Sequence, residues 1–179
     1  MLAHKRFLLY VNVIGGLAVL GSYAWGFRTH PNAAVLLWGG VPNWIRPFYS
    51  VSMLCAALGY FAFTVYILFW IDPVPSRIFR RFRFSTFNII YSAILFPSAC
   101  WMPLTFLAIQ TENPLTYWLV RMILIVVGIA SLSLLAALLS LRPRQSSWVN
   151  HLAVLGSIFF CIQTAFLDAA IWGSYFRLP

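Results

Sequence analysis

Five long apolar stretches occupy most of this 179-residue chain. No other feature limits its fold as strongly. A bilayer core needs about 20 apolar residues per helical crossing, and the stretches fall at about 7–27, 48–71, 86–109, 117–141 and 149–176. Each is apolar on all sides rather than alternately, which excludes the strands of a membrane β-barrel. The predicted fold is therefore all-α: a single domain, an integral membrane bundle of five transmembrane helices. Only 8% of residues are charged, against about a quarter in soluble domains. Too little chain lies outside the stretches to form a soluble catalytic domain.

Twelve Lys and Arg oppose three Asp and Glu, a net charge of +9. In a membrane chain such an excess is first an orientation signal. Lys5, Arg6, Arg77, Arg80, Arg81, Arg83, Arg142 and Arg144 fall on one side, Arg28, Arg46 and Arg177 on the other, with Arg121 inside the fourth helix. This eight-to-three bias predicts a cytoplasmic or matrix N-terminus, with the C-terminus on the opposite, outer side. The run Arg-Ile-Phe-Arg-Arg-Phe-Arg at 77–83 reads as part of that signal and as a contact for anionic lipid, not as a nucleic-acid patch. Lys5 and Arg6 before an apolar run resemble the start of a signal peptide, but the run is longer than the apolar core such peptides ordinarily carry. The expectation is a retained first helix.

The outer loop at 28–47 is the longest and is partly apolar, with Ala33-Ala34-Val35-Leu36-Leu37-Trp38 followed by Pro42-Asn43-Trp44-Ile45-Arg46-Pro47. Loops of this length without structure of their own are uncommon and usually functional. It is expected to lie against the outer mouth of the bundle as an interfacial segment or lid.

Asp168 is the most informative single residue. A carboxylate within a membrane helix costs roughly 3 kcal/mol unless it faces the bundle and finds a partner. Arg121 is the natural candidate: it lies four residues into the fourth helix, while Asp168 lies nine residues before Arg177 near the outer end of the fifth. At about 1.5 Å per residue their depths differ by a span the Arg side chain can cover. Structural pairing between helices and a ligand or proton role both remain open.

Six of the eight tryptophans (Trp25, Trp38, Trp44, Trp101, Trp118 and Trp172) fall in the outer half or outer loop; only Trp70 and Trp148 mark the inner interface. An anchoring belt populates both interfaces, so some outer indoles are expected to line a site. Indoles near Asp168, Arg121 and Arg46 suit a flat hydrophobic ligand carrying carboxylates. Pro97 and Pro103, flanking Trp101, are expected to interrupt the third helix. Gly15, Gly16, Gly21 and Gly59 allow close helix approach, within or between protomers. His4, His30 and His151 lie at helix ends without ligand spacing. No metal site, catalytic set or phosphate loop is legible, and no cofactor is required.

In number of helices, tryptophan content and long first outer loop, the chain resembles the translocator protein family, the tryptophan-rich sensory proteins. That family carries Pro-x-Trp-x-Pro-Pro before helix 2, and Pro42-Asn43-Trp44-Ile45-Arg46-Pro47 keeps its first Pro, its Trp and its last Pro. Gly59-Tyr60-Phe61, Trp101-Met102-Pro103-Leu104-Thr105-Phe106 and Leu167-Asp168 ahead of Trp172 are similar to family motifs in helices 2, 3 and 5. Arg46 stands in place of a Pro, Phe96-Pro97 in place of Leu-Asn, Asp168 in place of Asn, and the Pro-Tyr of helix 5 is absent. The resemblance implies binding of porphyrins, sterols or other lipids in a pocket capped by the first loop, and dimerisation.

The expected function is binding of a planar hydrophobic ligand, a tetrapyrrole or sterol-like molecule, at the outer mouth, in a sensor or ligand-handling role. Trp38, Trp44, Trp101 and Trp172 would supply apolar contacts, and Arg46, Arg121 and Asp168 polarity. The alternative is a non-catalytic structural or assembly subunit of a larger membrane complex.

Overall fold

The computed structural model describes residues 3–143 and 147–176; Arg144 and Arg177 of the charge pattern lie outside them. Five long helical segments form the bundle, each long and apolar enough to cross a membrane. They are α1 (Ala3–Thr29), α3 (Arg46–Val65, extended by a π turn, Tyr66–Trp70), α4 (Thr86–Thr111), α5 (Pro114–Ser140), and α6 (Trp148–Cys161), which continues as a π-helical run, Ile162–Trp172. Short α2 (Ala33–Leu36) lies in the first loop, and α7 (Gly173–Tyr175) ends the last span. All five spans begin and end within about one helical turn of the predicted limits.

Local chemistry explains the ends. Pro47 and Pro114 stand in the first turns of α3 and α5, where a missing N–H costs no helical bond. Asn113 caps α5 by accepting from Leu115 N at 2.9 Å, and Ser147 caps α6 by accepting from Asn150 N at 3.3 Å. The third span is not interrupted: α4 runs through both Pro97 and Pro103. Ser98 Oγ donates to Ile94 O at 2.6 Å and Thr105 Oγ1 to Trp101 O at 2.8 Å, keeping these hydroxyls bonded within the helix.

The spans neighbour one another as α1 on α4, α4 on α5, α5 on α6 and α6 on α3. Lipid is as apolar as Leu, so packing and hydrogen bonds, rather than burial from water, hold such helices together. At Gly59 and Gly156 α3 and α6 approach backbone to backbone, so that a Cβ on Gly59 would collide with the Gly156 carbonyl. Gly26 similarly admits Met102 of α4. By contrast, a Cβ on Gly16 or Gly21 would meet open space, so these two glycines do not serve packing within the protomer. Polar ties include Tyr60 Oη to Asn12 Oδ1 (2.6 Å) and Thr64 Oγ1 with Tyr91 Oη (2.9 Å).

At the end opposite the first loop, β1 (Arg77–Ile78) and β2 (Phe82–Arg83) form a small antiparallel hairpin, an element absent from the predicted all-helical pattern. Its turn holds Phe79 and Arg80 at φ +50° and +59°, the left-handed geometry of a tight hairpin turn. Arg77 pairs with Arg83 on one side and with Arg142 on the other, tying two loops together. We refer to this as the hairpin end, and to the other as the loop end.

Gly59→Leu should destabilise the bundle by about 1–3 kcal/mol or more through forced separation of α3 and α6. Gly16→Ala should change it by no more than about 0.5 kcal/mol. Thermal or denaturant unfolding in detergent measures both; equal effects would contradict the packing described.

Candidate functional site

The loop end is closed by the first loop. Pro31 follows α1, and the chain turns back so that Ala33 packs on Met102 and Phe106 and Val41 joins a second buried cluster with Tyr49, Trp172 and Phe176. Gly39 takes a φ of +53°, and a Cβ on Gly40 would lie 3.0 Å from Tyr175 O. Only residues without a side chain let the loop turn and pass so close to the last span. Arg46 Nε donates to Val41 O at 3.2 Å while its guanidinium stands 5.3 Å from the Trp38 ring. Trp38 in turn meets Tyr49 edge-on at 5.8 Å. Trp38 and Arg46 thus hold the loop in place rather than opening into a cavity.

Trp172 is the centre of this end. Its Nε1 donates to Leu37 O at 2.8 Å. Its ring contacts Trp101 at 5.6 Å on one side and stacks on Phe176 at 4.5 Å on the other. Phe176 also stacks on Tyr117, at 4.7 Å. The result is a column of three near-parallel rings, Tyr117, Phe176 and Trp172. Arg121 stands beside it: Nη2 donates to Phe176 O at 2.7 Å, the guanidinium lies 5.5 Å from the Trp118 ring, and the buried Nε has no partner.

The predicted Arg121–Asp168 pair does not form. Asp168 Oδ1 instead accepts from Gln163 Nε2 at 2.8 Å, and the Arg121 guanidinium is bound to a backbone carbonyl. The cause is the π-helical run, Ile162–Trp172. Its i→i+5 pattern brings residues five apart to one face, joining Gln163 to Asp168. Tyr49 Oη donates to Leu167 O at 2.6 Å, giving that carbonyl a partner on a second helix. Single π turns recur at functional sites, and a longer run that includes the membrane carboxylate gives this segment particular weight.

Two spaces result, with Trp172 between their linings. The first is an internal cavity of about 90 Å³, to which all five spans contribute, among them Tyr23, Met53, Trp101, Leu124, Thr164 and Asp168. The second is a more open groove of about 640 Å³ at the loop end, bordered by Leu36, Gly40, Ile109, Tyr117, Tyr175 and Phe176. Of the seven predicted residues, Trp101 and Asp168 share the cavity. Trp38, Arg46, Arg121 and Trp172 line neither space and instead support the loop end, and Trp44 is 72% exposed on the outside.

Sequence reasoning missed Tyr117, Tyr175 and Phe176 of the groove, and Tyr23, Gln163 and Thr164 near Asp168. Gln163 and Thr164 carried a legible signal: both are polar residues about one turn from a carboxylate inside a membrane span. Among the described residues, no group of three or more His, Cys, Asp or Glu could hold a metal ion. No protein family, curated protein or solved structure matches this chain.

Trp172→Phe removes the bond to Leu37 O, worth about 0.5–1.5 kcal/mol, and should speed amide exchange across 31–45. Trp44→Phe, at an exposed ring, should leave that exchange unchanged. Hydrogen exchange read by mass spectrometry checks both.

Proposed function

We propose that this protein binds a planar hydrophobic ligand, of the tetrapyrrole or sterol class, in the groove at the loop end, in a sensing or ligand-handling role. The observation that carries this reading is the aromatic lining of the groove, Tyr117, Tyr175 and Phe176, backed by the Tyr117–Phe176–Trp172 column, whose ring edges suit edge-to-face contact with a flat ring system. The groove's volume, about 640 Å³, falls within the roughly 300–1,000 Å³ of small-molecule sites. The internal cavity does not, so Trp101 and Asp168 are not assigned to this ligand. Arg121, whose guanidinium is bound to the carbonyl of the groove residue Phe176, would reach a carboxylate on the ligand by a shift of its side chain. The likeness to tryptophan-rich sensory proteins supports the same class of ligand. By the basic-residue bias, the hairpin end faces the cytoplasm or matrix and the groove the opposite side.

A second reading, a structural subunit of a membrane complex or a homodimer, is favoured by one observation. Gly16 and Gly21 face open space on α1, the span with the smallest share of its apolar window buried, and small residues on such a face suit close contact with another helix.

Titration with protoporphyrin, followed by tryptophan quenching in detergent or nanodiscs, should saturate at micromolar concentration. Tyr117→Ala should weaken binding about tenfold. Arg121→Gln should weaken protoporphyrin but not its dimethyl ester. Absence of saturable quenching, or quenching indifferent to Tyr117→Ala, would refute the groove reading. A stable co-purifying partner lost on Gly16→Leu would favour the second.

A further inference from the structure

We propose that the internal cavity at Asp168 is a second, separate binding site, and that it takes a small monovalent organic cation, an alkylated ammonium ion. The proposal does not depend on the groove or its ligand.

Asp168 is held within the last span, and its one hydrogen-bonded oxygen is served by Gln163, a neutral amide. Among the described residues its other oxygen has no hydrogen-bond partner and no Lys or Arg pairs with it. Arg121 is committed to Phe176 O. A carboxyl in an apolar interior must either hold a proton or meet a counter-charge, and the space beside Asp168 is where a counter-charge can sit. A single carboxylate matches a single positive charge.

The lining selects the kind of cation. Metal ions of the hard class need several oxygen ligands, and the described residues offer no cluster of three acidic or metal-ligating side chains. The cavity instead presents aromatic rings: Trp101 and Tyr23, with centroids 6.1 Å apart, both line it. Aromatic faces attract alkylammonium groups, and Met53, Leu124 and Val127 receive the alkyl carbons. Two lining hydroxyls have their protons engaged. Ser98 donates to Ile94 O, and Thr164 stands 2.8 Å from both Phe160 O and Ser131 Oγ. The oxygen of Ser98 therefore remains as an acceptor for an ammonium N–H. The buried Trp101 Nε1 lacks a partner and is left to donate to a hydration water that accompanies the cation.

Size sets the limit. On a scale where one water occupies about 10–15 Å³, a cavity of about 90 Å³ holds a cation of a few heavy atoms with some hydration, and excludes ring systems. Access is lateral: α1 packs on α4 and meets the α3 span mainly at its π turn near the hairpin end. Met53, 46% exposed, lies on the α3 side of that seam.

The test uses the whole chain in lipid nanodiscs, titrated by calorimetry and tryptophan fluorescence with trimethylammonium chloride and with tert-butyl alcohol, a neutral molecule carrying the same three methyl groups. Saturable binding is expected for trimethylammonium and not for the alcohol. Asp168→Asn, which keeps the side chain's shape, should weaken the cation at least about tenfold. Trp101→Phe, which keeps an aromatic ring but a poorer cation acceptor, should weaken it several-fold. Absence of saturable binding by the wild type, equal binding of the alcohol, or binding unchanged by Asp168→Asn would overturn the proposal. Should Asp168→Asn fail to fold, the Trp101→Phe result decides: unchanged affinity overturns it. Protoporphyrin binding should survive Asp168→Asn, which separates failure of this site from failure of the groove.

Discussion

In a hydrocarbon surround no water is available to satisfy a stray polar group, and every other feature of this bundle follows from that constraint. Backbone groups are closed within helices, and side-chain polar atoms bond across them. Tyr60 reaches Asn12, Thr64 meets Tyr91, Thr164 meets Ser131, and Tyr49 reaches the Leu167 carbonyl. Where such bonds are few, backbones come close instead, as at Gly59 and Gly156. Against this background the atoms left without partners stand out. Of five such buried atoms among the described residues, Trp101 Nε1, Gln163 Oε1 and Arg121 Nε lie near the cavity or the groove, whereas Ser52 Oγ and Asn88 Oδ1 line neither.

Trp172 divides those two spaces. One indole holds the first loop through its N–H, bears on Trp101 towards the cavity, and stacks on Phe176 towards the groove. The loop is therefore not an appendage. Its Leu37 carbonyl anchors the indole that stands between a small chamber and a larger groove, and movement of the loop would be felt in both. The two differ in chemistry as well as size: the chamber presents one carboxylate among aromatic and aliphatic side chains, the groove Tyr117, Tyr175 and Phe176 beside an uncharged loop.

The sequence made the spans legible because the lipid requirement acts on every residue of a crossing, so hydropathy alone places each end within a turn or so. It also marked Asp168 and Trp101, since a carboxylate or an indole deep in a helix is unusual on its own. Partner assignment failed for a physical reason. Converting residue counts to depth with the α-helical rise assumes an uninterrupted α-helix, whereas the last span becomes π-helical from Ile162 and turns Asp168 towards Gln163. Arg121 found a backbone carbonyl, an acceptor that no side-chain pattern announces. The groove rings were hidden for a similar reason: Tyr117, Tyr175 and Phe176 sit at helix ends, where aromatics ordinarily read as interfacial anchors.

The central claim is that the loop end is where this protein meets its ligands. Photo-crosslinking tests it most directly, using a planar hydrophobic carboxylate bearing a diazirine, with adducts mapped by mass spectrometry in nanodiscs. Labelling should concentrate on 33–42, Tyr117 and 171–176, and should be displaced by excess unmodified ligand. Adducts spread along the lipid-facing residues of α1 and α3, in proportion to their exposure and indifferent to competitor, would contradict it.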